Sequence, residues 1–566
     1  MIRCTSEVDL ASKTSPFVLP GLNLQKIHRE VIHIRQSNTM TEPYDVIVIG
    51  AGHNGLVNAA YLARAGLKVL VLEKRELVGG ATVTEELFPG FKYSVFSYVV
   101  SILRPEIIQD LQLPRHGLTI LPLPSTLTPL PDGDYLYRDD DHYRTLREIG
   151  RHSPRDVEAY EEYGHAMYFM AKAIRPILGM IPPDPTSLDP RELKQLADLG
   201  SHFLDLGDEH LATLIKLMTM SSADFLDEWF ETEPLKATMS ASGIIGTFMG
   251  PRSPGTAYVL LHHYMGEIDG VYRAWGFAKG GTGGLAEALA SSARSFGAEI
   301  RTDAPVEAVI LRGNKATGVA LQDGTELSAR KVVSSLDPRR TFLELIAPDL
   351  LPGELVDDVR RFRFRGSSGK VNLALDALPD LTCMPGAGPH LRGAISISPS
   401  IDYLERAYDQ AKYGEFSHQP YIDVVIPSMI DPDMAPPGKH VMSCFVQYAP
   451  YELANGDWDE RREEFGDAVI DTLSEYIPNL KDILLHRQVL TPLDIERITG
   501  LSEGNIFQGE LDLSQLFFLR PAAGYAKYRT PIRGYYQCGS GTHPGGGITG
   551  APGRLAALEI LRDMGF

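Results

Sequence analysis

The protein has 566 residues, of which 22% are charged and 43% are hydrophobic. At roughly 150 residues per domain this length predicts two to four domains, and the composition excludes a fibrous or largely disordered chain. Lys plus Arg number 54 and Asp plus Glu number 73. The resulting net charge of −19 argues against a nucleic-acid partner, because phosphate neutralisation needs clustered basic residues. No run approaches 18 apolar residues, so we expect no membrane-spanning helix.

Residues 1–40 mix basic residues with Glu7, Asp9 and Glu30. A proline and a glycine interrupt their apolar stretch, which disfavours a secretory signal, and the three acids disfavour a mitochondrial transit peptide. We interpret the segment as a disordered leader, or as sequence upstream of a true start at Met40. The expected location is the cytoplasm or a membrane surface, with the mitochondrial matrix left open for a eukaryotic protein.

The clearest motif is a βαβ unit near the start of the chain. Residues 44–49 form an apolar, β-branched run that predicts a strand buried on both faces. A complete GxGxxG follows at 50–55, then a helical stretch at 56–65 and a second buried strand at 68–72 that ends at Glu73. This order of strand, glycine loop, helix, strand and acid is typical of dinucleotide binding.

Each glycine of this motif, and the acid at its end, has a structural role in binding a dinucleotide. Gly50 allows the tight turn, Gly52 lets the backbone approach a pyrophosphate, and Gly55 lets helix and strand pack closely. The helix N-terminus offers free N–H groups to phosphate, and Glu73 is placed to accept hydrogen bonds from a ribose diol. The glycine pair Gly79 and Gly80 then favours FAD over NAD, because FAD enzymes of the glutathione-reductase-like and amine-oxidase-like class continue the cofactor site there.

Two later segments are expected to return to the same domain. The first is the glycine-rich run 279–285 with the strands that follow it up to 335, which could equally form an ordinary sheet without a ligand. The second is the C-terminal run 535–550, in which a strand enters a glycine loop before a helix at 551–564. Glycines in that loop allow the backbone to lie against a flat ring, and the helix dipole would stabilise negative charge on a reduced flavin.

The sequence resembles the phytoene-desaturase-related flavoproteins over roughly residues 44–566. GAGHNGL, LEKRELVGGAT, KGGTGGL and CGSGTHPGGGITGAPGR carry the resemblance. The closest types are the carotene ketolases and the pyridine nucleotide-disulfide oxidoreductase domain-containing proteins. The resemblance implies bound FAD, with the backbone of Val306 at the adenine. The candidate cofactor-binding residues are Gly50, Gly52, His53, Asn54, Gly55, Glu73, Lys74, Gly79, Gly80, Ala81, Thr82, Val306, Gly541, Thr542, His543, Gly545, Gly546 and Gly547.

The expected fold class is α/β, with a glutathione-reductase-like FAD-binding Rossmann domain interleaved with a mixed α+β substrate domain. We assign residues 44–145, 276–345 and 500–566 to the FAD-binding domain, and residues 146–275 and 346–499 to the substrate domain. Residues 146–275 are expected to be mostly helical.

The expected activity is an FAD-dependent dehydrogenase, desaturase or ketolase acting on a hydrophobic, polyene-like or carotenoid-like small molecule. Met and aromatic clusters in the insertions could line an apolar tunnel for it. Two alternatives stay open: an amine-oxidase-like enzyme for a polar amine, and a flavin-binding regulator with little turnover. The electron acceptor is unknown, and peripheral membrane contact through a helix at 165–181 is a further hypothesis.

His543 is the candidate catalytic residue, because it lies within the C-terminal glycine loop and could hold or transfer a proton beside the flavin. No metal site is predicted, since no group of His, Asp or Glu residues has ligand spacing. The cysteines are also too far apart for a dithiol centre, and contain no CxxC. They are Cys4, Cys383, Cys444 and Cys538.

Overall fold

Two seven-stranded sheets, three two-stranded sheets and the helices that cover them make up the part of the chain that the computed structural model describes, residues 43–566. The leader expected over residues 1–40 lies outside the described residues. The strands are β1 Tyr44–Ile49, β2 Val69–Leu72, β3 Thr84–Phe88, β4 Phe91–Ser94, β5 Ile120–Pro122, β6 Ser125–Pro129, β7 Tyr135–Asp139, β8 Glu267–Ile268, β9 Val271–Tyr272, β10 Gly276–Ala278, β11 Glu299–Arg301, β12 Val306–Leu311, β13 Ala316–Leu321, β14 Glu326–Ser334, β15 Ser368–Leu375, β16 Ala394–Ile397, β17 Tyr421–Val425, β18 His440–Gln447, β19 Leu484–Leu490 and β20 Tyr535–Gln537.

Helices connect and cover these strands, and short 3-10 turns join many of them. The α-helices are α1 His53–Arg64, α2 Pro105–Asp110, α3 His142–His152, α4 Pro154–Leu178, α5 Pro190–Leu204, α6 Gly207–Thr219, α7 Ser222–Asp227, α8 Glu233–Ser240, α9 Thr256–Tyr264, α10 Thr282–Ser295, α11 Gly353–Arg361, α12 Ile401–Lys412, α13 Trp458–Tyr476, α14 Leu480–Ile483, α15 Pro492–Thr499 and α16 Ala551–Met564.

The first sheet carries the βαβ unit. Its parallel part has the order β11-β2-β1-β14-β20, and the antiparallel hairpins β12-β13-β14 extend it on one side. The apolar run of β1 is buried along nearly its whole length, as expected for a strand covered on both faces. Helices α1, α10 and α16 cover one face, and their aliphatic side chains share one hydrophobic cluster with β1 and β2. The C-terminal helix is therefore part of the N-terminal fold.

The second sheet has the order β19-β15-β18-β17-β16-β6-β7 and is antiparallel except between β16 and β6. Most of it comes from the insertion predicted as 346–499. Strands β6 and β7, however, fall inside the segment 44–145 that the sequence analysis assigned to the FAD-binding domain. The chain therefore leaves the first sheet earlier than predicted, because β6 finds its hydrogen-bond partner in β16, more than 250 residues later.

Helices α3 to α9 form the remaining layer, in agreement with the helical pattern predicted for 146–275. The hypothesis that a helix over 165–181 dips into a bilayer relied on its apolar residues Met167, Phe169, Met170, Ile174 and Ile177, and for that face it is wrong. Of these five, all except Phe169 are buried in the core of the helical layer. Within the described residues, no helix is both long and apolar enough to cross a membrane. Peripheral membrane contact by another surface stays a prediction.

Candidate active site

The loop between β1 and α1 has the backbone geometry that its glycines predict. Gly50 has a φ of +91°, in the left-handed region that residues with a Cβ rarely adopt. A Cβ on Gly55 would overlap the carbonyl oxygen of Gly50, so the helix approaches the strand only because position 55 has no side chain. The N-terminus of α1 is thereby aimed across the end of β1, with its free N–H groups available to an anion.

Gly52 differs from the other glycines of this loop. Its φ of −63° and ψ of 164° are open to any residue, and no protein atom lies within 4 Å of the place where its Cβ would be. Gly80 approaches it so closely that a Cβ there would lie 3.3 Å from the Gly52 Cα. Gly79 donates its N–H to the Ala51 carbonyl at 2.8 Å and holds the two loops together. The absence of side chains at Gly52, Gly79 and Gly80 thus leaves an open backbone surface, here called the cradle.

Glu73 closes the cradle at the end of β2. Its side chain is 5% exposed, and its two carboxylate oxygens accept the N–H groups of Ala51 at 2.8 Å and Arg75 at 3.0 Å. Each oxygen keeps a further lone pair, which a ribose diol could use. The carboxylate therefore both fixes the glycine loop and offers an acceptor to a ligand.

Basic side chains face the cradle from two directions. Lys74, Arg75 and Arg340 all line the same cavity. In the part of the chain that the structure describes, Nη1 of Arg75 and Nε of Arg340 are buried without a hydrogen-bond partner. Burial, followed by the charge of Arg340, lowers the pKa of Lys74. An anion between these groups would satisfy the unpaired donors. Lys74 was predicted from the sequence, but neither arginine was. Arg75 directly follows Lys74 in the fingerprint, whereas no spacing relates position 340 to it.

The cradle opens into a cavity of about 380 Å³, here called the first cavity. Val306 lines it at the start of β12, and the resemblance places an adenine at its backbone. Eleven of the predicted cofactor residues lie on its wall: Gly50, Gly52, His53, Asn54, Gly55, Glu73, Lys74, Gly79, Gly80, Ala81 and Val306.

The C-terminal loop reaches the first cavity through Ser540, whose hydroxyl accepts a hydrogen bond from the Asn54 amide at 2.9 Å. Gly541 lies behind it and donates its N–H to the side chain of Gln508. The remaining predicted residues up to position 546 face protein: Thr542 hydrogen-bonds the Gly539 carbonyl, and a Cβ on Gly546 would overlap Phe507. Contact of these residues with cofactor stays a prediction, as it does for Gly545, which packs against Leu511.

His543 lies outside the walls of the cavities on either side of the glycine loop. Its Nε2 is 3.2 Å from the carbonyl oxygen of Ile177, near the end of α4, and its own carbonyl accepts the hydroxyl of Tyr528 at 3.0 Å. Burial lowers the pKa of the imidazole to about 4, so the ring is neutral at physiological pH. These contacts tie the loop to the helical layer. The catalytic role of His543 stays a prediction, and its packing does not favour that role.

A second, smaller cavity of about 130 Å³ lies next to the first. His53, Ala81 and Ile506 line both, so the two are continuous at these residues. The His53 ring lies beside the backbone of Gly547, and its Nε2 is buried without a hydrogen-bond partner among the described residues. Of the predicted cofactor residues, His53, Ala81, Thr82 and Gly547 line this second cavity.

The second cavity is mainly apolar and aromatic. Its charged or titrating groups are His53, His263, Tyr98 and Lys370, and the last of these was not anticipated from the sequence. Its apolar lining consists of Phe96, Val99, Ile102, Ile245, Trp275, Phe445, Ile495, Ile506, Phe507 and Ile548.

These residues fit FAD. The open cradle at Gly52 suits a pyrophosphate, Glu73 suits a ribose diol, and the unpaired donors of Arg75 and Arg340 suit phosphate oxygens. A flat ring system extending past His53 and Ala81 would enter the second cavity.

Comparison with known proteins decides the family. The sequence profile of the flavin-containing amine oxidoreductases matches residues 55–561. The chain belongs to this family. It is an FAD-dependent oxidoreductase, as the sequence predicted. It is 41% identical over 545 residues to pyridine nucleotide-disulfide oxidoreductase domain-containing protein 2 of Rattus norvegicus, covering 92% of this chain and 94% of that protein.

Two further similarities are more distant. One of the polypeptides of limonene dehydrogenase from Castellaniella defragrans is 29% identical over 547 residues, covering 92% of this chain and 95% of that protein. The solved structure of putrescine oxidase bound to putrescine has a TM-score of 0.56 at 16% identity, covering 92% of this chain and 99% of that one. The latter shows the fold alone, and confirms that this flavoenzyme has the α/β FAD-binding fold.

Three of the four cysteines lie among the described residues. Cys383, Cys444 and Cys538 are free thiols there, and burial raises the pKa of Cys383 to about 11. Over the same residues, no group of three or more His, Cys, Asp or Glu side chains is placed to hold a metal ion.

Proposed function

We propose that this flavoenzyme is a dehydrogenase that removes hydrogen from a carbon atom of a hydrophobic substrate held in the second cavity, on a glutathione-reductase-like FAD-binding domain. The observation that carries the proposal is the continuity of the two cavities at His53, Ala81 and Ile506. A molecule in the second cavity would therefore lie against the end of the cofactor. The apolar lining supports a hydrocarbon-like substrate, because burying such surface is favourable and needs no specific partner.

The polar groups of the second cavity are few and ordered by the second sheet. Lys370 on β15 pairs with Phe445 on β18, and Phe445 pairs with Asp423 on β17, so the three stand in one row across the strands. The ring of Tyr98 stacks on Phe445 at 5.9 Å between centroids, and its hydroxyl donates to Oδ2 of Asp423 at 2.5 Å. This row holds the aromatic wall of the cavity in one orientation.

Lys370 is the residue best placed to move a proton. Its side chain is 2% exposed, and its Nζ has no hydrogen-bond partner within residues 43–566 and lies 4.0 Å from the centroid of the Tyr98 ring. Burial lowers the pKa of the ammonium group to about 7. Above that pH the amine is neutral and can accept a proton at Nζ, and below it the amine is already charged.

The chemistry divides between cofactor and protein. Bound FAD supplies a two-electron acceptor for hydrogen removed from carbon. The chain orients the substrate against the aromatic wall of Tyr98 and Phe445 and excludes water through the apolar lining. Lys370 takes up or returns the accompanying proton at Nζ.

Substitution of Lys370 by methionine tests this role. We expect the rate of flavin reduction by substrate to rise with pH through about 7 in the native enzyme, as neutral Nζ becomes available. Lys370→Met keeps the volume of the side chain but removes the base, so the rate should fall about 100-fold and lose that pH dependence. Stopped-flow absorbance at about 450 nm, a wavelength typical of flavins, measures it.

The control for this variant is Lys194→Met, which removes an exposed lysine of α5. It should keep both the rate and the pH profile. A Lys370→Met enzyme whose rate still rises through pH 7 would show that another group accepts the proton.

Oxidation of an amine is the second candidate. The stacked Tyr98 and Phe445 rings and the Asp423 carboxylate behind them resemble what a cationic amine requires. Lys370 opposes this reading below its pKa of about 7, where its buried, charged Nζ would repel a cationic amine.

Anaerobic mixing of the holoenzyme with candidate substrates tests the proposal. We expect cyclic terpenes or linear polyenes to bleach the flavin absorbance, and primary alkylamines to leave it unchanged. Bleaching by amines alone would establish the second candidate. An absence of bleaching by any apolar compound, with the flavin still reducible by dithionite, would contradict a hydrophobic substrate.

A further inference from the structure

A third cavity, of about 720 Å³, lies beyond the second. Val99, Ile245 and Trp275 line both, so the apolar cavity continues into it. Two arginines from different parts of the chain line the third cavity: Arg138 at the end of β7 and Arg273 immediately after β9. Neither belongs to the cofactor site, and the proposed reaction uses neither.

The two guanidinium groups have only neutral partners. Nη2 of Arg138 donates to the hydroxyl of Thr238 at 3.3 Å, and Nη1 of Arg273 donates to the hydroxyl of Tyr264 at 2.9 Å. Tyr160 lies beside both arginines, and although burial raises the pKa of its hydroxyl, their charges lower it below the ordinary value. Among residues 43–566, no carboxylate oxygen lies within 4.0 Å of either group. Burial, and after it the charge of Arg273, lowers the pKa of Arg138. Two like charges thus share a cavity without a counter-ion.

The acidic residues that line the third cavity do not neutralise the charges of Arg138 and Arg273. Asp139 is bound to Arg144 at 2.7 Å, and Asp423 is bound to Tyr98, with burial raising the pKa of its carboxyl to about 6. Asp140 and Asp269 are exposed at the mouth of the cavity, where water screens their charge. The exposed His142 is paired with Glu161.

The backbone around Arg273 is unusual for a residue with a side chain. The hairpin β8–β9 turns at Asp269 and Gly270, both with positive φ, and Arg273 follows with a φ of +59°. The Arg273 N–H is fixed to the Gly266 carbonyl at 2.7 Å, and its guanidinium lies over the ring of Tyr264 at 4.7 Å. Strained conformations of this kind persist where the surrounding structure holds them, and they concentrate at binding sites. Here the strain places a cation inside the cavity.

We propose that the third cavity binds an oxyanion, a carboxylate or a phosphate monoester, at the head of a substrate whose apolar body extends into the second cavity. The proposal rests on the proposed function, because it takes the second cavity to be the place of oxidation. Guanidinium groups are suited to this task, since their planar donor pairs match the two oxygens of such a head group. The substrate class is therefore an amphipathic acid, which the two joined cavities accommodate end to end.

Binding of four amphiphiles with the same fourteen-carbon chain tests the proposal on the holoenzyme. The probes are tetradecanoate, tetradecyl phosphate, tetradecanol and tetradecylammonium, each used below its micelle concentration. Titration calorimetry gives the Kd, and the difference spectrum of the bound flavin reports whether the chain reaches the cofactor. We expect at least one of the two anions to bind about 30-fold more tightly than the alcohol, because charged hydrogen bonds to arginine are stronger than neutral ones. The ammonium probe should bind more weakly than the alcohol.

Variants assign the preference to the two arginines. Arg138→Gln and Arg273→Gln keep a donor for Thr238 and Tyr264 while removing the charge, and each should reduce the preference for the anion to about 3-fold. Arg155→Met removes an exposed arginine of α4 and should leave it unchanged. Melting temperature and FAD content identify any variant that fails to fold, and the single variants provide two independent tests.

The outcomes separate the two proposals. Equal binding of anions and alcohol, or an anion preference that survives both Arg→Gln variants, would overturn the anion site, while perturbation of the flavin spectrum would still support a hydrophobic substrate. An arginine-dependent preference without any flavin perturbation would support the anion site and contradict the placement of the substrate beside the cofactor. Preference for one anion over the other identifies the head group.

Discussion

Replacement of Gly52 by valine is expected to give a folded protein that retains no FAD. The backbone at position 52 is extended, so valine adopts it without strain, and the side chain would meet no protein atom within 4 Å of its Cβ. Its methyl groups would instead fill the cradle that we assign to the pyrophosphate. We expect FAD affinity to fall at least about 100-fold, which corresponds to about 2.7 kcal/mol.

The measurement is the ratio of flavin absorbance to protein absorbance after purification, followed by titration of the apoprotein with FAD. Gly52 is also the N-cap of α1, where valine costs about 1 kcal/mol of stability, so a small fall in melting temperature is part of the expected result. Gly200→Val places the same side chain on the exposed face of α5 and should keep its flavin. A Gly52→Val protein with stoichiometric FAD would refute the position of the pyrophosphate.

Replacement of Arg520 by methionine is expected to unfold the C-terminal part of the site. The guanidinium is fully buried and has no acidic partner among the described residues. Its Nε and Nη2 both donate to the Ser540 carbonyl, at 3.1 and 2.9 Å. Its other bonds go to carbonyls of the segment that precedes it, at Phe507, Gly509, Glu510 and Gln515. One side chain therefore connects that segment to the C-terminal glycine loop.

Methionine would leave four of these five carbonyl groups buried without a donor, since only the Glu510 carbonyl keeps another one, the Gln515 side chain. The free energy of unfolding should therefore fall by about 4 kcal/mol or more. Urea denaturation followed by circular dichroism measures the change. Arg520→Lys keeps the charge but cannot reach five acceptors from one nitrogen, and should be nearly as unstable. Arg533→Met, on the exposed turn before β20, is the control. A loss below about 1 kcal/mol for Arg520→Met would contradict the role given to this side chain.

The cofactor half of the site was largely predictable, because its signals are local in sequence. Residues 44–73 contain two buried strands, a glycine turn, a helix start and an acid within thirty positions, and each is fixed by backbone sterics or by burial. The helix at 551–564 was equally clear from its periodicity and agrees with α16. The boundary near 145 was misplaced, since the partner strand of β6 is remote in sequence.

The sequence by itself determined that this protein binds a dinucleotide-type cofactor and that its flavin-binding strands come from separated segments. Only the tertiary structure decided what lies beyond the flavin. The register of the second sheet brings Lys370 and Asp423 into one row. Arg138 comes from the end of a strand and Arg273 follows a hairpin, and the fold brings both to one cavity. No spacing in the sequence identifies any of these four residues. The cofactor cradle consists largely of the backbone of residues close together in sequence. The side chains around the second and third cavities are instead brought together by pairing between distant segments, and such pairing produces no local sequence pattern.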